Sequence, residues 1–102
     1  GLSGSGPAFV YSMIEALAAG GVAEGMSPEL AGELAARTVS GAAEMVLQTG
    51  ETPAVLRDRV TSPGGTTLAG LGVLRERGFG EAISDAVQAA TRRSVELGQS
   101  TK

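Results

Sequence analysis

Val10, Met13, Ile14, Leu17 and Gly21 recur at three- and four-residue steps, a spacing that predicts a helix with one apolar stripe. Ser5-Gly6-Pro7 reads as the start of that helix, a hydroxyl cap followed closely by proline. Residues 1–6 then form a flexible lead-in, and Gly25 is the expected stop. The other side carries Ser12, Ala16, Ala19 and Ala23, small enough for a second helix to lie close against it. The first helix is therefore expected to be buried on more than one side.

Ser27-Pro28-Glu29 supplies a cap, a proline at the first helical position and an acid at the positive end of the helix dipole. The ladder Leu30, Leu34, Thr38, Ala42 and Val46 follows, and Gly50 should end the helix. Thr52-Pro53 opens a short third helix over about 54–59. Leu68, Leu71, Val73 and Leu74 drive a fourth that closes at Gly78. Gly70 and Gly72 inside it weaken a helix relative to alanine, which suggests that another backbone crosses there. The fifth helix runs from about Glu81, with Ile83, Val87, Ala90, Ser94 and Leu97 on one face, and frays from Gly98 onward. No segment alternates with a strand period, so the chain is predicted to be all-α, a bundle of about five helices with the first two the longest.

Composition changes this picture in one respect. The apolar share is largely alanine, and Phe9, Tyr11 and Phe79 are the only aromatic residues in 102. Such a chain buries little surface per residue, so a homo-oligomer is expected. The net charge is −3 and the arginines alternate with acids, which argues against a nucleic-acid partner. No uncharged run reaches bilayer-spanning length, and the opening residues lack the basic start of a signal sequence; a soluble, cytoplasmic protein without a membrane partner is expected. The chain opens on Gly1 rather than methionine, which raises the expectation of an upstream part.

Cysteine and histidine are both absent. Their absence removes disulfides, thiolate nucleophiles, imidazole acid–base chemistry and the usual zinc ligands, so no metal site is expected. The acids fall mostly on solvated helix faces; Asp58 is set apart by its place just before a glycine-rich turn. Met13, Met26 and Met45 read as gap-fillers.

That turn is Val60-Thr61-Ser62-Pro63-Gly64-Gly65-Thr66-Thr67-Leu68. Pro63 pushes Ser62 out of the helical region, Gly64 and Gly65 permit close approach to the main chain, and Thr66 and Thr67 stand where a helix begins. Free N–H groups and the dipole make such a place a candidate anion site, able to hold a carboxylate with the hydroxyls of Ser62, Thr66 and Thr67. A plain Pro-Gly turn with a threonine cap explains the same residues. It is no phosphate loop, because no Lys-Ser or Lys-Thr pair follows the glycines. Gly4-Ser5-Gly6 and Gly70-Leu71-Gly72 each lack the third glycine and the strand of a dinucleotide fingerprint.

Leu56-Arg57-Asp58-Arg59-Val60-Thr61-Ser62-Pro63-Gly64-Gly65-Thr66-Thr67, with Gly70-Leu71 after it, resembles the signature of pyrroline-5-carboxylate reductase. Gly1-Leu2-Ser3-Gly4-Ser5-Gly6-Pro7-Ala8-Phe9 is similar to the segment that opens that family's C-terminal domain. The resemblance implies an enzyme of proline biosynthesis that passes hydride from NADPH or NADH to the C=N bond of 1-pyrroline-5-carboxylate, giving L-proline. It also implies that residues 1–102 are the helical dimerisation domain, an interlocked dimer able to build up to a decamer, with the substrate loop at 60–68. The family's N-terminal Rossmann domain, which holds the nucleotide, is absent, so the cofactor-binding residues are unknown here and the chain alone is expected to be inactive. By the same resemblance Ser62, Gly64, Gly65, Thr66 and Thr67 hold the substrate carboxylate, and Thr67, near the ring nitrogen, is the catalytic candidate. Two alternatives remain open from the residues: a non-catalytic helical oligomerisation module, and a domain of a related imine or keto-acid reductase.

Overall fold

The computed structural model describes residues 2–61 and 65–100, the last two of these without their side chains. Five helices follow one another: α1 (Leu2–Ala23), α2 (Pro28–Thr49), α3 (Pro53–Thr61), α4 (Gly65–Glu76) and α5 (Phe79–Ser100). There is no strand among the described residues, in keeping with the all-α expectation.

Local chemistry sets most of the boundaries. Ser27 is extended (φ −67°, ψ 150°) and its Oγ accepts from the Leu30 N–H at 3.2 Å, with Pro28 next to it opening α2. That exchange satisfies one of the amides a helix start leaves unpaired. At the other end Gly50 turns left-handed (φ 70°) and returns its N–H to the Val46 carbonyl at 3.1 Å. Gly25 (φ 106°) closes α1 in the same manner, with the Met26 N–H on the Gly21 carbonyl at 3.0 Å. Thr52 caps α3 through its Oγ, 3.2 Å from the Val55 N–H. Gly78 (φ 70°) separates α4 from α5, which starts at Phe79, two residues ahead of the expected Glu81.

Four expectations are corrected. α1 starts at Leu2 and carries Pro7 inside it, so residues 2–6 continue the helix instead of leading into it. α5 has 22 residues, as many as α1 and α2, and extends through Gly98 to Ser100. α1 holds no buried residue in this chain, because its small side at Ser12 and Ala16 faces an open gap towards Leu74, Phe79 and Ile83. A side chain at Gly70 or Gly72 would meet nothing within 4 Å, so no backbone of the described residues packs against α4 at either position.

The α1–α2 pair is the principal contact, with α5 returning to α1 and α4, and α3 resting on α4. Its close point is Gly21, where an added Cβ would stand 3.3 Å from the Ala31 Cβ and 2.8 Å from the Met26 sulfur. Approach this close selects small residues on α2. Among the described residues Ala31 and Ala35 are the buried hydrophobic ones, at 3% and 7% exposure, while Leu30 and Leu34 of the expected ladder stay 47% and 41% exposed.

The chain presents 7707 Å² to solvent, against about 5,300 Å² for a compact monomer of this mass. Its radius of gyration is 16.3 Å, against about 12.8 Å for a compact domain of this length. Every helix keeps large apolar side chains in the open, among them Val10 and Leu17 of α1, Leu34 of α2, Val55 of α3, Val73 of α4 and Ile83 of α5. These faces need another surface to cover them. Glu15 is the lone charge in α1, and by length and composition alone that helix could cross a bilayer, a property shared by helices that are covered within assemblies of soluble proteins.

Candidate functional site

Ser62, Pro63 and Gly64 of the expected carboxylate site lie outside the described residues. The rest of that site sits at the start of α4. Gly65 is its first residue, Thr66 is exposed and Thr67 is half-buried. The leading amides of an α-helix have no intrahelical carbonyl to bond, and the dipole adds positive potential at that end. Thr66 and Thr67 thus pair side-chain hydroxyls with an end of the helix that favours negative charge.

Thr67 also lines an open groove of about 430 Å³. Its wall is mostly apolar, built by Ala42, Met45 and Val46 of α2, Leu56 and Val60 of α3, and Leu71 of α4, with Arg57 and Arg59 of α3 also lining it. A hydroxyl at the margin of an apolar groove suits a small ligand with a carboxylate at one end and a hydrocarbon ring behind it. The tail of α3 is held in place on its open side. Arg59 reaches Glu51 at 3.3 Å, and the Thr61 hydroxyl donates to the Arg57 carbonyl at 2.6 Å.

Asp58, singled out by its position, is exposed and forms no hydrogen bond or ion pair among the described residues. Arg57 lines both the groove and a second recess of about 470 Å³, shared with Arg75 and Phe79. The groove wall is what sequence reasoning missed. Met45 had been read only as a gap-filler, and no local pattern links α2 to the far side of the glycine-rich turn, since their juxtaposition is a product of tertiary packing. Together these groups can hold and orient an anionic ring; they provide no imidazole or thiolate for covalent work.

Residues 1–97 match the family described as pyrroline-5-carboxylate reductase dimerisation. The chain is 58% identical over 99 residues to a pyrroline-5-carboxylate reductase of Synechocystis, covering 97% of this chain and 37% of the relative. It is equally 58% identical over 100 residues to the reductase of Arabidopsis thaliana, covering 98% of this chain and 36% of that one. Among solved structures, a pyrroline-5-carboxylate reductase from Coxiella burnetii superposes with a TM-score of 0.89 at 43% identity, over 94% of this chain and 36% of the other. The Plasmodium falciparum pyrroline carboxylate reductase, solved with NADP bound, gives 0.86 at 41% identity, over 91% of this chain and 36% of its own. The chain therefore spans a little over a third of the length of the relatives it matches.

Proposed function

Since the chain belongs to the pyrroline-5-carboxylate reductase dimerisation family, we propose that it is the helical dimerisation and substrate-loop part of an enzyme that reduces 1-pyrroline-5-carboxylate to L-proline. The observation that carries this reading is the placement of Thr67, which joins the positive end of α4 to the apolar groove. The substrate has the matching halves, a carboxylate and a hydrocarbon ring. Ser62, Gly64, Gly65, Thr66 and Thr67 hold the carboxylate through hydroxyl and main-chain donors, and Thr67 stays near the ring nitrogen.

NADPH or NADH supplies the hydride that the C=N carbon receives while the nitrogen takes up a proton. The described residues are helical and offer no strand–turn–helix cradle for a dinucleotide, so the Rossmann half of the full-length protein is assigned that task. A cyclic imine is protonated readily in water, and the demand on this domain is then alignment, which a rigid helix start provides. The whole protein is read as a soluble cytoplasmic homodimer, with the decamer as its larger assembly. Self-association covers the apolar faces that the single chain leaves open.

Binding tests this assignment directly. L-proline should compete with substrate in the intact protein, pyrrolidine, which lacks the carboxylate, should compete far less, and Thr67→Ala should narrow the difference. Equal competition by the two compounds in the unaltered protein would remove the carboxylate from the loop.

A further inference from the structure

α1 contains a conflict between its sequence and its length. Pro7 is the sixth residue of the helix, so it has no N–H for the Ser3 carbonyl, and its ring crowds that oxygen. Gly4 and Gly6 lie in the same stretch, and a side chain at either would meet nothing within 4 Å. A shorter helix relieves the conflict: with Ser5 as its cap, Pro7 falls in the first turn, where its missing N–H is one of the amides that need no helical partner.

We propose that residues 2–6 are a helix–coil hinge, exchanging between the long α1 seen here and a short α1 capped at Ser5. Two bonds of the helical ladder change between the forms: the Gly6 N–H loses the Leu2 carbonyl, and the Ala8 N–H exchanges the Gly4 carbonyl for the Ser5 hydroxyl. From Phe9 onward the ladder is common to both. The hinge stands on local helix energetics alone. Its consequence rests on the reading above: a nucleotide-holding half joined through this segment would pivot here towards Thr66 and Thr67.

Amide hydrogen exchange of the intact protein at single-residue resolution tests it, because protection reports the local opening equilibrium. Gly6, whose N–H has a partner only in the long form, should be protected at least 30-fold less than Met13 and Ile14, after correction for intrinsic rates. Gly4 is helical only in the long form, and a glycine-to-alanine change favours helix about fivefold, so Gly4→Ala should raise protection at Gly6 about fivefold. A gap smaller than 30-fold, or a gap that Gly4→Ala leaves unchanged, overturns the hinge. Neither readout depends on turnover, so failure here leaves the proposed reduction standing.

Discussion

Gly21 offers a quantitative test of how α1 meets α2. A Cβ there would stand 3.3 Å from the Ala31 Cβ and 2.8 Å from the Met26 sulfur. Met26 can move its thioether away, having three rotatable bonds. Ala31 cannot, since its Cβ is fixed to the α2 backbone and it is 3% exposed; the helices must part by several tenths of an ångström to restore ordinary carbon–carbon contact. Overpacking of this kind costs about 1–3 kcal/mol, and alanine returns about 1 kcal/mol by its better helix propensity. Gly21→Ala should therefore destabilise by about 1 kcal/mol. Gly21→Val adds two methyl groups, recovers less propensity, and should cost about 2–4 kcal/mol. Urea unfolding of the intact protein, at fixed concentration because association contributes to stability, gives both values. A valine variant as stable as the parent would refute the close helix contact.

Three further outcomes follow from the same structure. Ser27→Ala removes the cap on the Leu30 amide and should cost about 1 kcal/mol in the same unfolding assay. Gly50→Ala forces a side chain into a left-handed turn at φ 70° and should cost about 1–2 kcal/mol. Leu34→Lys places a charge on an open apolar face of α2 and should raise the dissociation constant of the homodimer tenfold or more in sedimentation equilibrium.

What the sequence made legible was local. Ser27-Pro28, Thr52-Pro53, Gly25, Gly50 and Gly78 each mark a helix boundary by chemistry confined to a few residues, and the structure places the boundaries there. The start of α4 at Thr66 and Thr67 was legible for the same reason. Which side of a helix its own chain covers was not. Leu30 and Leu34 form the more conspicuous apolar ladder, yet Gly21 brings α1 so close that Ala31 and Ala35 take the contact. Periodicity gives the apolar stripe without saying whether the same chain or another will cover it. Gly70 and Gly72 carry the same ambiguity, since among the described residues no atom would meet a side chain at either. The groove beside Thr67 depends on α2, α3 and α4 meeting, and no spacing along the chain encodes that meeting.

The central claim is that Thr67 positions a carboxylate-bearing imine for reduction, and oxidation of NADPH and NADH by the intact protein with 1-pyrroline-5-carboxylate tests it most directly. The account predicts turnover by the unaltered protein and a loss of about ten- to a hundredfold in kcat/KM for Thr67→Ala, the range expected for a hydrogen bond to a charged group. A folded, dimeric, full-length protein with no turnover, or full turnover by Thr67→Ala, would contradict it.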